Sequence, residues 1–457
     1  MAAAGVAPYH AAVTTAAEPT PRTRVDTTQA SSASGWRRYL RALGPGLVTG
    51  ASDDDPSGIA TYAQAGAQSG LGLAWTALLT YPMMAAVQEI CDRTALTTGK
   101  GLGELAAAKF KRSARVLIGV LMAALIIANS LNIAADLVAV GSGMQLLHAG
   151  PSAVWALVAG ILVTVVIMVG KFPLIAKVFK VLAGALLSYI VVAVIVHPPL
   201  RDLVKAVLVP HLSLSSTEQS LLIAVLGTPI SPYLFFWQSA HRLEELREEP
   251  EGGSRAVSLQ ERAPQEAERK QRTARADVFV GMALSNLVML AIIVSAAATL
   301  HAHNVTNIDS AAQAAQALRP LAGPYAEALF ALGFIGSGML AVPVLAGSGS
   351  VGMAGLLGKQ WGFSRSPRKA PVFYGLVLVG TLGGTLMSAL NVNPIHLLVV
   401  SASINGVAAA PFLVLVMLIS NDREIMREQV NGWLAKGLGW LTVGVMAAAA
   451  VVYFRTL

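Results

Sequence analysis

The chain is poor in charge and almost without cysteine. Only 13% of its 457 residues are charged, against 54% hydrophobic, and the mean hydropathy is +0.61. A soluble domain carries roughly 25% charged residues. So little polar surface excludes a soluble protein of this length, and the even spread of apolar residues makes it polytopic. The single cysteine, Cys91, excludes a disulfide framework and a cysteine metal cluster. The apolar runs do not alternate, which excludes a β-barrel. No H-E-x-x-H and no nucleophile elbow is present, so no enzyme chemistry is visible and no cofactor is expected.

What is present is a series of apolar segments of membrane-spanning length. They fall at 42–69, 72–97, 115–142, 152–170, 173–197, 218–241, 277–300, 322–357, 371–390, 394–420 and 433–454. The expected fold class is an all-α polytopic membrane protein of about 11 transmembrane helices. Residues 1–38 read as a disordered cytoplasmic tail and 39–457 as the membrane domain. With the N-terminus in the cytoplasm, 29 of the 33 Lys and Arg fall inside; Arg201, Lys205, Arg319 and Arg455 fall outside. The positive-inside rule therefore favours that orientation. It also explains the pI of about 9.6 without a nucleic-acid partner. Lys171, Lys177 and Lys180 are expected to snorkel from the end of the fifth span. The 242–277 segment, with eight basic and nine acidic residues, reads as a cytoplasmic linker, partly helical or disordered, for which a solvated tether is favoured over a regulatory role.

Charge inside a span marks function by default. The first span contains Ser52-Asp-Asp-Asp-Pro-Ser-Gly58. Pro56 has no amide hydrogen, so the carbonyl of Ser52 loses its helical partner, and helical geometry is disfavoured at Asp55. The helix should break at about 53–58. Freed carbonyls beside a carboxylate make a hard-oxygen cation site. Asp55 is the expected ligand, and at least one of Asp53 and Asp54 is expected to face water. The sixth span reads Gly227-Thr-Pro-Ile-Ser-Pro-Tyr233, and its two prolines predict a second break at about 227–232. Two interrupted helices at matching places in two five-helix halves, 39–200 and 215–420, point to an inverted-repeat transporter, with 433–454 as an additional helix.

Asn129, Asn132 and Asp136 share one face of the third span. Two readings stay open for them: a proton or outer metal relay, and a hydrogen-bonded stripe joining helices. Ser401, Ser403 and Asn405, beside Gly406, form a polar patch for which a structural role is favoured. Gly347-Ser-Gly-Ser-Val-Gly352 matches a nucleotide-loop pattern but lies in an apolar span, so close helix packing is expected. His301 and His303 are expected at the surface.

These residues resemble the NRAMP family of divalent-metal transporters. Asp55-Pro56-Ser57-Gly58 matches the first two positions of that family's D-P-G-N motif. Gln88 to Leu102 resembles the end of its second span, and Ala134-Ala-Asp-Leu137 its A-x-D-L element. The resemblance implies a LeuT-type 5+5 inverted repeat with helices 1 and 6 broken. It also implies transport of divalent metals of the manganese and iron class, often with protons. Its metal ligands would fall on Asp55, Gly58, Thr228 and Ser231. Asn132, Asp136, Tyr233 and Asn405 would stand behind the site or along a proton path. The departures matter. The family's Asn falls on Gly58, its M-P-H on Ser231-Pro232-Tyr233, and an acid on Ala139. Such changes resemble the NRAMP-related magnesium transporters. Loss of the thioether leaves an oxygen site, and loss of the Asn and Met side chains is expected to leave room for a partly hydrated ion such as magnesium. An amino-acid transporter on the same fold and a non-transporting membrane protein are the other classes. Asp55 would repel a substrate carboxylate, and the second class has no use for two matched breaks. A bacterial inner membrane is the expected location, with the divalent ion, protons and the bilayer as expected partners.

Overall fold

The computed structural model describes residues 44–169, 178, 181–196, 199–211, 215–249, 255–308, 326–389 and 394–456. The tail 1–38, Lys171, Lys177, Lys180 and Arg319 lie outside these residues, as do 173–177, 179, 180 and 197 of the fifth expected span. Within them the chain is helical and holds no strand. The principal helices are α1 (Pro45–Asp53), α2 (Pro56–Ser69), α3 (Trp75–Thr98), α4 (Leu102–Lys109), α5 (Arg112–Leu146) and α6 (Ser152–Val169). There follow α7 (Leu187–Val196), α8 (Leu200–Leu208), α9 (Ser216–Gly227), α10 (Pro232–Glu248) and α11 (Pro264–Thr299). The last are α12 (Ala326–Leu356), α13 (Pro371–Ser388), α14 (Pro394–Ser420), α15 (Arg423–Met426) and α16 (Trp433–Thr456).

Proline sets many of the starts. Pro45, Pro56, Pro232, Pro264 and Pro371 each open a helix, where the missing amide costs nothing and the fixed φ is already helical. Two of these prolines follow directly on the expected breaks. Helix stops at Asp53 and resumes at Pro56; it stops again at Gly227 and resumes at Pro232.

Eight spans among the described residues are long and apolar enough to cross a membrane. The difference from eleven lies in the first, second and fifth expected spans. The first span is split into α1 and α2, the second carries Glu89, Asp92 and Arg93, and the fifth falls partly outside the described residues. The broken pair α9–α10 is central, with 89% of its most apolar window buried, whereas α16 is peripheral at 22%. Outward apolar side chains such as Ile161 and Val165 on α6, each 52% exposed, need lipid rather than water around them. Gly347, Gly349 and Gly352 do pack closely, against Phe363, Ile126 and Met122.

The 242–277 segment is partly helical, as α10 runs on to Glu248 and α11 begins at Pro264. It departs from a solvated tether in the burial of several of its charges. Arg242, Glu244 and Asp277 are 2%, 2% and 3% exposed. Arg242 pairs across helices with Asp92 and Asp277, and Glu244 with Arg247 of its own helix, which a charge count along the chain does not show.

α1 lies against α11 at glycines. A Cβ on Gly46 would stand 2.5 Å from the Val278 amide nitrogen, and one on Gly50 would meet the Gly281 carbonyl. Backbone offers nowhere to move. Gly50→Ala should therefore destabilise the protein by about 1–3 kcal/mol, the usual cost of overpacking. A lowered melting temperature of the detergent-solubilised protein, read by fluorescence-detected gel filtration, checks this; Gly375→Ala, where no heavy atom lies within 4 Å of the added carbon, should melt as wild type.

Candidate metal site

Asp55 stands at the first break as the N-cap of α2. Its Oδ1 accepts the Gly58 amide at 2.8 Å and the Ser57 hydroxyl. A carboxylate here satisfies orphan amides and meets the positive end of the half-helix. Its Oδ2 turns inward, accepting Asn132 Nδ2 of α5 at 3.0 Å and the Tyr233 hydroxyl of α10 at 3.3 Å. Asn132 is held in turn by the Ser401 hydroxyl of α14. One carboxylate thus gathers four separated segments at 1% exposure.

The carbonyl of Ser52, freed by Pro56, also accepts from the Tyr233 hydroxyl, at 3.1 Å. A phenol has one proton. Two acceptors, a carbonyl and a carboxylate oxygen, therefore crowd one hydrogen, and the site holds more lone pairs than donors.

The second break faces the first. A Cβ placed on Gly58 would stand 2.8 Å from Thr228 Cγ2, 3.3 Å from the Asp53 carbonyl and 3.4 Å from Tyr62 Cε2. This corrects the expectation of room around a missing Asn: the Thr228 methyl and the Tyr62 ring take it. Ser231 also differs from expectation. Its hydroxyl turns back on its own chain, donating to the Gly227 and Thr228 carbonyls, both at 2.8 Å. It stabilises the break, and it occupies the Thr228 carbonyl that was expected to face an ion.

The acids beside Asp55 do not face water. Asp53 and Asp54 are both 0% exposed. Asp53 accepts the Ser285 hydroxyl of α11 at 2.6 Å, while neither oxygen of Asp54 has a hydrogen-bond partner. Asp136 is likewise buried with both oxygens unpartnered. The polar stripe of α5 splits by function: Asn129 bonds the Leu345 carbonyl at 2.8 Å and joins helices, whereas Asn132 reaches Asp55. Asn405 is buried, and its neighbour Gly406 packs on Gly227. His301 and His303 are exposed and remote from this cluster in sequence.

A family model described as natural resistance-associated macrophage protein-like matches residues 46–456. The chain belongs to the Nramp family. A divalent metal cation transporter MntH of Klebsiella pneumoniae subsp. pneumoniae is 26% identical over 429 residues, covering 92% of this chain and 94% of that protein. One from Deinococcus radiodurans is 26% identical over 419 residues, covering 91% and 89%. Among solved structures, an Eremococcus coleocola manganese transporter in complex with an aromatic bis-isothiourea compound has a TM-score of 0.71 at 15% identity, over 93% of this chain and 88% of that one. The nucleobase-cation-symport-1 transporter Mhp1, closed with bromovinylhydantoin bound, has a TM-score of 0.55 at 14% identity, over 91% and 92%. These likenesses show a shared fold, the LeuT-type arrangement expected for two broken helices.

A second charged centre lies near the amino end of α1, and the sequence reading passed over it. Asp277 of α11 accepts the amides of Gly44 and Gly46 at 2.8 Å and of Leu47 at 3.3 Å. It caps a helix that has no side-chain cap of its own. Arg242 of α10 bridges Asp277 at 3.1 Å to Asp92 of α3 at 2.7 Å, and Gln238 supports Asp92 at 2.6 Å. The signal in the sequence was an isolated acid, Asp277, opening an apolar run beside glycines on two spans. Removing Arg242 strands two buried carboxylates, which costs about 3–5 kcal/mol. Arg242→Ala should accordingly melt far below wild type, and Arg242→Ala with Asp92→Asn should recover part of the loss.

Proposed function

We propose that the chain is a secondary transporter of divalent metal cations working by alternating access between two five-helix halves, with Asp55 as the central ligand. The observation that carries this is the surplus of acceptors at Asp55. Ser52 O and Asp55 Oδ2 share one phenolic proton. A cation entering between them would satisfy both and displace the Tyr233 hydroxyl. The surroundings favour the same charge. Four buried carboxylates, Asp53, Asp54, Asp55 and Asp136, form no salt bridge to any Lys or Arg among the described residues. Buried negative charge without a counter-charge is costly, and a transported cation supplies one. The names of the MntH relatives support the same substrate class.

The ligand set in this reading is oxygen: the Asp55 carboxylate, the Ser52 and Thr228 carbonyls, and water. Thr228 O becomes available when the Ser231 hydroxyl rotates to Gly227 alone, and Gly58 lets the two breaks approach. Without thioether or imidazole the site favours hard ions, manganese and magnesium over cadmium. The protein acts in a bacterial inner membrane with its N-terminus in the cytoplasm. Release on that side requires α1 to leave α11, so the Asp277 cap and the Arg242 bridge act as an inner latch.

Asp55→Ala, reconstituted in liposomes, should show manganese uptake lowered at least tenfold while the protein still inserts and elutes as a single species. Uptake at the wild-type rate would place the ion elsewhere. Ser231→Met should shift cadmium-over-magnesium competition by about 1–2 kcal/mol, by analogy with a contact to a charged group; unchanged ratios would leave Ser231 with a capping role only.

Proton coupling is weak in this reading. Tyr233 replaces the family's histidine, and a phenol of ordinary pKa about 10 is a poor proton carrier near neutrality. Liposomes holding a pH dye should acidify little as metal enters. Metal-dependent acidification that disappears in Asp136→Asn would assign the coupling to Asp136 instead.

A further inference from the structure

A cavity of about 470 Å³ opens between α3, α11 and α16, away from the Asp55 site. Its polar wall is formed by Glu89, Arg93, Gln271 and Arg275, and its apolar wall by Trp433 and Leu434. The polar wall carries two guanidinium groups and one carboxylate, a net single positive charge. Glu89 is shared: Arg93 Nε reaches its Oε1 at 3.1 Å and Arg275 Nη2 reaches the same oxygen at 3.1 Å. Arg93 spends its remaining nitrogens on Gln429 O and Asn431 Oδ1 and is fixed in place. Arg275 is different. Its side chain is 55% exposed, and its Nη1 makes no hydrogen bond among those assigned to it. It is a half-engaged cation at the mouth of the cavity.

The other wall points to what the cation meets. Trp433 is 81% exposed and Leu434 57%, at the first turn of a helix that carries no charge from Gly437 to Phe454. Trp at the end of a span sits at headgroup depth, with the apolar ridge below it facing acyl chains. Lys436 adds positive charge nearby in sequence, on the Lys- and Arg-rich side of the membrane. Basic pockets between spans on that side fit anionic lipid headgroups.

We propose that this cavity seats the phosphate headgroup of an anionic phospholipid, with Arg275 as its ion-pair partner and one acyl chain laid along Trp433 and Leu434. The bidentate fork of a guanidinium suits two phosphate oxygens. The lipid would tie α16, otherwise peripheral, to the cytoplasmic ends of α3 and α11.

The test is native mass spectrometry of the purified full chain titrated with phosphatidylglycerol or phosphatidylcholine. Wild type should bind the first phosphatidylglycerol at least fivefold more tightly than phosphatidylcholine. Arg275→Glu should abolish that preference and Arg275→Lys should keep most of it. Arg272→Glu, an exposed change one turn away outside the cavity wall, should leave it intact and control for net charge. Trp433→Ala should weaken both lipids. Equal binding of the two lipids by wild type, or an unaltered preference in Arg275→Glu, would overturn the proposal. So would complete displacement of the lipid by millimolar inorganic phosphate, which would make the cavity a site for soluble anions.

Discussion

A broken helix inside a membrane leaves carbonyls and amides that water cannot reach, and the Asp55 carboxylate is what makes the break tolerable. One oxygen closes the amino end of α2 on Gly58 and Ser57; the other holds Asn132 and Tyr233. Tyr233 in turn covers the carbonyl that Pro56 left open. The same group is thus cap, hub and proposed ligand. In a medium without water a backbone irregularity has to line a site or be buried in protein, and here Asp53, Asp54 and Asp55 are all buried.

The other charged centre solves a related problem at the far end of α1. A nine-residue helix with no side-chain cap, opened by Pro45, depends on another helix for its amides. Asp277 supplies the acceptor, and Arg242 offsets the charge that this places in the interior. The glycine contacts between α1 and α11 bring the two backbones close enough for such short bonds. Carboxylates hold α1 against α11 at both ends, Asp277 at its start and Asp53, on Ser285, at its finish.

Much of this was legible in the sequence because proline and charge act locally. Pro56 and Pro232 marked both breaks within a residue or two, and Asp55 followed from its place before Pro56. The pairing of Asn132 with Asp55 was only half visible, since a shared helix face does not say which neighbour that face meets. What escaped was decided by contacts between distant segments. Asp53 and Asp54 are buried because α11 covers them, and nothing beside them in the chain announces that. The 242–277 charges looked solvated because their partners, Asp92 and the amides of α1, lie two hundred residues away in places. Ser231 was placed among the ligands by resemblance, whereas its hydroxyl finds two carbonyls of its own turn.

The contact of Gly58 with Thr228 bears on ancestry. The Thr228 methyl occupies the volume that any side chain at 58 would need. An Asn at 58 is therefore not reached from this pair with equal ease in both orders of substitution. A chain that first replaced Gly58 would carry a clash at the centre of its site, whereas one that first shortened Thr228 would carry only a small void. The path between the two kinds of site is one-way at its first step, and lineages that retain a residue larger than alanine at 228 should be found with glycine at 58.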